Sequence, residues 1–223
     1  MNICKPRNPK KEKLTKADLT AYLLPDIAGW TKLHIAAREG TLDQIPKTVL
    51  TAKNVSLQTK DTYTVLHLAA QHGHLNQLPR EVFTRANLLA GDKLGRTLIH
   101  WAAGYGHLNQ LPPELLTDAN LTAKISDGAT PLHFAGYNGF LTQFPDRLLT
   151  RTNLLDKGEN NDSTLLYAVR NGFIDQLLGI DFEECTEARE IVGEEWWEKN
   201  KKIIVDKNKL LTPAEEPARV EMF

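Results

Sequence analysis

Thr31-Lys32-Leu33-His34-Ile35-Ala36-Ala37-Arg38-Glu39-Gly40 returns down the chain at a fixed interval. Its copies are Thr64-Val65-Leu66-His67-Leu68-Ala69-Ala70-Gln71-His72-Gly73, Thr97-Leu98-Ile99-His100-Trp101-Ala102-Ala103-Gly104-Tyr105-Gly106 and Thr130-Pro131-Leu132-His133-Phe134-Ala135-Gly136-Tyr137-Asn138-Gly139, so that successive histidines stand 33 residues apart. A degraded fifth copy, Ser163-Thr164-Leu165-Leu166-Tyr167-Ala168-Val169-Arg170-Asn171-Gly172, keeps the frame without the histidine. Self-similarity at such a period marks a solenoid, in which each unit buries its apolar face on its neighbours and no single central core forms.

A turn precedes each copy, at 26–30, 59–63, 92–96, 125–129 and 158–162. These turns carry Gly, Asn and Asp, which tolerate positive φ. Thr31, Thr64, Thr97, Thr130 and Ser163 then stand at the N-cap position, where a hydroxyl accepts from an otherwise orphan amide. A helix of about two turns follows, its alanines small enough for neighbouring helices to approach closely. Gly40, Gly73, Gly106, Gly139 and Gly172 stop it, as a glycine past a helix C-terminus does. Downstream, Pro46, Pro79, Pro112 and Pro145 recur in register. Proline lacks the amide donor and clashes with the preceding turn. The second half of each unit is therefore expected to split into a short turn ending near the proline and a short helix with proline at its first position. Thr51, Thr84, Thr117 and Thr150 each precede an asparagine (Asn54, Asn87, Asn120, Asn153) by three residues and are placed to cap a further short turn.

Period and wording together resemble the ankyrin repeat, over roughly residues 26–178. The resemblance implies an all-α solenoid of helix-turn-helix units with β-turn fingers, about five repeats long, closed by helical caps. It also implies that His34, His67, His100 and His133 are structural, each hydrogen-bonding the turn. The prolines depart from the family pattern, which has a long second helix, so the outer face is expected to be remodelled while the stacking survives. The division that follows is a basic arm at 1–13 and a capping helix at 14–25. Repeats then run over 26–58, 59–91, 92–124, 125–157 and a partial 158–178. In this division a helical C-terminal segment at 179–210 covers the open end, and an extended tail occupies 211–223.

Net charge is −1, which gives no sign of a nucleic-acid or membrane partner. Cys4 and Cys185 are too few for a disulfide framework or a four-thiolate zinc site, which points to a reducing, cytoplasmic compartment. No apolar run approaches the ~20 residues of a membrane span. Nor does an apolar core follow the basic residues of the N-terminus, as a secretory signal would require. The spaced histidines do not form a metal site, because one per stacked unit puts them about 10 Å apart, whereas zinc needs its ligands ~2 Å from one ion. The chain has no Gly-x-Ser-x-Gly, no phosphate-cradling glycine loop and no His-Glu-x-x-His. No catalytic residue and no cofactor are assigned, and the chain reads as a non-enzyme.

Function should then lie on a surface. In the ankyrin family the turn tips and the exposed flank of the first helix line a groove, and positions that vary within the fixed frame carry specificity. Carried onto this chain, the partner-binding set is Trp30, Arg38, Lys60, Tyr63, Gln71, His72, Lys93, Arg96, Tyr105, Asp127, Tyr137 and Asn138. Trp, Tyr and Arg are the types enriched at interface hot spots. The reading is a monomeric module for a protein partner. Two other sites are weighed beside it: the C-terminal extension with Trp196 and Trp197, as in an accessory subunit or secreted effector, and the basic arm, for an acidic or nucleic-acid surface.

Overall fold

The computed structural model describes residues 16–158 and 162–173, together with Gln176, Glu190, Gly193, Glu194 and Glu198. The basic arm and the tail lie outside the described residues, as does the C-terminal segment apart from four isolated positions.

Helix α1 (Lys16–Ala21) precedes the repeats. Five inner helices carry the repeated phrase: α2 (Lys32–Glu39), α4 (Val65–His72), α6 (Leu98–Gly104), α8 (Pro131–Asn138) and α10 (Thr164–Arg170). Each packs on the next, forming one row. Between them lie the short outer helices α3 (Ala52–Val55), α5 (Arg85–Leu89), α7 (Asp118–Leu121) and α9 (Arg151–Leu155). No strand is present among the described residues, where Gln58 with Thr64 and Lys157 with Ser163 make isolated antiparallel bridges. The core is a ladder of equivalents. Leu42, Leu75, Leu108 and Leu141 are almost wholly buried, as are Ala36, Ala69, Ala102, Ala135 and Ala168. The alanines set the spacing: a Cβ added at Gly136 would lie 2.8 Å from the Thr164 carbonyl oxygen.

The proline-split half takes a specific form. In the second repeat a 3₁₀ turn (Leu75–Gln77) leads to Pro79, then a second 3₁₀ turn (Arg80–Val82) and α5. Pro79 and Pro145 have extended ψ, 147° and 141°, and sit at the N-cap, not at the first helical position as the sequence predicts. The difference has a simple cause: the ring fixes only φ, and an extended proline lets the chain reverse before the next turn begins. In the third repeat the first helical position is filled by the neighbouring Pro113. The Thr-x-x-Asn pattern works as expected: Thr51, Thr84, Thr117 and Thr150 each accept from the asparagine amide. The asparagine Nδ2–H then reaches back to a carbonyl five residues earlier, and Asn87 also donates to Ala52 of the preceding repeat, at 2.9 Å.

Two side chains sew each unit to itself and to the next. The histidine Nδ1 accepts from the N-cap amide at 3.1–3.3 Å, so Nε2 carries the proton and donates to a carbonyl 23 residues on: Leu57, Ala90, Ala123 or Asp156. The hydroxyls of Thr31, Thr97 and Thr130 lie 2.8–2.9 Å from the same Nδ1. In the fifth unit, without histidine, the Ser163 hydroxyl accepts from the Leu166 amide instead. The second side chain is glutamine. Gln77 Oε1 accepts from the Leu42 amide at 2.9 Å and its Nε2–H donates to the Gly40 carbonyl at 3.0 Å, both in the preceding repeat. Gln143 and Gln176 repeat this pair of bonds two and three units further along, and Gln110 accepts from Leu75. A ring of the next unit also lies close against Gly40, Gly73, Gly106 and Gly139; a Cβ at Gly106 or Gly139 would meet Phe140 or Phe173 at 2.6 Å.

One backbone position is strained. Gly29, Gly95 and Gly128 take φ of +78° to +84° in their turns, and Thr62 occupies the equivalent place at +66°. A β-branched residue there costs of order 1–3 kcal/mol. Thr62→Gly is therefore expected to stabilise the fold by about 1 kcal/mol after the added flexibility of glycine is subtracted. Gln77→Ala orphans an amide and a carbonyl and should cost about 1–3 kcal/mol. Urea unfolding of both variants beside the parent checks the two signs.

Candidate functional site

The variable positions lie on the fingers and along one flank of the inner helices. Asp26, Thr59, Asp92, Ile125 and Gly158 start the fingers, and the amide of each donates to the carbonyl four residues on. This closes the turn and delivers Trp30, Tyr63, Arg96 and Ala129 beside the helix that follows. Lys60 and Lys93 project from the tips. Lys93 pairs with Asp61 at 2.6 Å, joining two fingers, and Lys60 is exposed.

Residues 33–111 match the family model described as ankyrin repeats, in three copies. Over this stretch the chain is built of ankyrin repeats. No curated protein is similar to it. The matched residues include His34, His67 and His100, and the same finger, histidine and glycine geometry continues past them to the fourth repeat. Ankyrin repeats are in general protein–protein interaction modules.

That flank is aromatic, and more so toward the C-terminal repeats. In the first repeat the Arg38 guanidinium sits 5.3 Å from the Trp30 ring centre. His72 stacks on His74, and burial, with His74 and Arg38 nearby, holds it below the usual histidine range. Gln71 Nε2–H donates to the Tyr105 hydroxyl at 3.1 Å. The centre is Trp101, which was not among the expected residues. It meets Tyr63 edge-on at 5.3 Å and stacks on Tyr105 at 5.6 Å. Its indole N–H donates to Asp92 Oδ2 at 3.2 Å. Arg96 lies over the same ring at 4.5 Å and also bonds Asp92 Oδ2, from Nε at 2.7 Å. Burial alone would raise the Asp92 carboxyl, but hydrogen bonds and charge from Arg96 hold it below the usual carboxylate range. Carboxylate, guanidinium and indole thus form one neutral, prepaired cluster.

Beyond it, between α6, α8 and α10, lies a cavity of about 420 Å³. Arg96, Tyr105, Asp127, Tyr137 and Asn138 from the expected set line it, with Trp101, Phe134 and Tyr167. Tyr105 and Tyr137 are 42% and 55% exposed, so much of their surface faces solvent. Tyr137 meets Tyr167 edge-on at 5.5 Å. The structure therefore brings together Arg96, Tyr105, Asp127, Tyr137 and Asn138 of repeats three and four, while Lys93 pairs with Asp61 on the finger tips and Trp30, Arg38 and Lys60 sit toward the other end of the row. The three unanticipated rings share one repeat position, which reads Ile35, Leu68, Trp101, Phe134, Tyr167. Its drift from aliphatic to aromatic was the available signal. No group of side chains suited to hold a metal ion is found among the described residues, and none of their helices is long and apolar enough to cross a membrane.

His100 and His133 form the floor of this cavity, and both ring nitrogens of each are already engaged. Burial pushes His67 and His100 down to about 4 and lowers His34 and His133 as well. Unfolded, these imidazoles titrate near 6.5. Between the two values the unfolded chain binds more protons, so stability is full above about pH 6.5 and falls as pH drops toward 4. At pH 5 the loss should be on the order of 2 kcal/mol for each of His67 and His100. Urea midpoints at pH 7 and pH 5 measure it, and His100→Gln, which cannot titrate, should lose less on acidification than the parent.

Proposed function

We propose that this chain is a non-enzymatic binding module that takes a protein partner along the aromatic flank of its repeats. The observation that carries the reading is the gathering of rings along this flank, Tyr63 with Trp101 and Tyr105 on one side and Tyr137 with Tyr167 on the other, with Phe134 lining the cavity between them. Aromatic and arginine side chains supply large contact area at small entropic cost and dominate interface energetics. The His bonds within each repeat and the Gln bonds between repeats hold that row in place before any partner arrives, so little ordering entropy is lost on binding. A monomer working in the cytoplasm without a cofactor fits this role. The contact set is Trp30, Arg38, Lys60, Tyr63, Gln71, His72, Lys93, Arg96, Tyr105, Asp127, Tyr137 and Asn138, to which Trp101, Phe134 and Tyr167 are now added.

The test is partner capture from native lysate with the parent and with a variant carrying Trp30→Ala, Tyr63→Ala, Arg96→Ala and Tyr105→Ala. Circular dichroism first establishes that the variant is folded. A partner held by the parent and lost by the variant is the expected result. A partner retained by the folded variant would move the site to the C-terminal extension or the basic arm.

A further inference from the structure

The cavity exists because three small residues coincide. Gly104 stands where the other repeats have Arg38, Gln71, Tyr137 and Arg170. Ala129 stands where they have Trp30, Tyr63, Arg96 and Asp162, and Gly158 where they have Asp26, Thr59, Asp92 and Ile125. Comparing the third and fourth repeats shows what is missing. In the third, Arg96 covers the Trp101 ring and is held by Asp92. In the fourth, the ring is kept as Phe134 but Ala129 supplies no cation. A carboxylate is still there: Asp127, two residues along the finger, accepts from the Ala129 amide at 2.8 Å through Oδ1. It has no ion pair among the described residues. The other charges nearby are spent, Arg96 on Asp92 and Arg170 on Asp162 at 3.1 Å. The pocket is thus aromatic-walled, bears one unspent negative charge and lacks the guanidinium its neighbour possesses.

We propose that this pocket receives an arginine side chain of the partner, seated against Phe134, Tyr105 and Tyr137 with its guanidinium on Asp127. The inference rests on the flank being the binding surface and narrows the partner to a polypeptide presenting an arginine. Arginine suits the place for the reason Arg96 suits the third repeat: its planar, weakly hydrated guanidinium stacks on rings while pairing a carboxylate. The same preference recurs at Arg38 over Trp30. Binding should weaken with salt, because Asp127 is half-exposed.

The probe is Nα-acetyl-arginine N-methylamide, titrated into the isotope-labelled full chain and followed by NMR. Its neutral isostere, the citrulline derivative, serves as control. The expected result is movement of the Trp101 indole N–H and the Gly104, Ala129 and Gly158 amides, with a Kd of about 1–10 mM. Citrulline should bind about fivefold more weakly or worse, and Asp127→Asn should impose a similar loss on the arginine probe. Ala129→Arg, which supplies the absent cation from within, should abolish binding. Equal affinity for citrulline, an unchanged Kd in Asp127→Asn, persistent binding in Ala129→Arg, or shifts confined to other repeats would each overturn the proposal. Loss of partner capture in the four-residue variant without arginine binding leaves the groove reading intact and removes only this pocket assignment. Arginine binding with capture unaffected in that variant would show an arginine pocket that the partner does not use, and would overturn the groove reading and with it the assignment of the pocket to the partner.

Discussion

A backbone amide or carbonyl withdrawn from water must find a partner or cost free energy comparable to a lost hydrogen bond. At each elbow of this solenoid that partner belongs to the next repeat. The Gly40 carbonyl and Leu42 amide meet Gln77, the Leu75 amide meets Gln110, and the equivalent carbonyl and amide of the third and fourth repeats meet Gln143 and Gln176. Within the unit, histidine ties the N-cap of the inner helix to a carbonyl 23 residues downstream. A repeat is therefore incomplete until its successor is in place, which is why such units are stable only in a row. The same bonds explain why the residue count is held at 33 although the second half is rebuilt around proline. Adding one residue would move every glutamine off its elbow.

What the frame leaves free is one flank of the inner helices and the fingers above it. The polar machinery there is already paired in the third repeat, where Asp92, Arg96 and Trp101 satisfy one another. The fourth repeat keeps a ring and a carboxylate without a cation. On the proposed reading, function arises from departures from the repeated theme along this flank.

Much of this was legible in the sequence. The turn, helix and glycine stop could be read because each depends on local chemistry: an N-cap hydroxyl, a small apolar face, a residue able to take φ near +75°. The split at proline was legible for the same reason, but its detail was not. Proline fixes φ and leaves ψ open, so the residue count alone could not say whether Pro79 would be the cap or the first helical residue. The glutamine bonds were missed although Gln77, Gln110, Gln143 and Gln176 recur with the period, because their partners lie 35 and 37 residues away and only the stacking brings them together. The cavity was missed for a related reason. Gly104, Ala129 and Gly158 come from three repeats, and a void made by three absences leaves no mark in any one of them.

The claim that each elbow is closed by the following repeat can be tested by native-state hydrogen exchange at the amides of Leu42, Leu75, Leu108 and Leu141. Each begins a 3₁₀ turn and has no partner within that turn. Protection comparable to that of the neighbouring inner-helix amides is the result predicted, since opening them requires separating two repeats. Exchange at the rate of an exposed loop would contradict it and would show that the apolar ladder alone holds the stack.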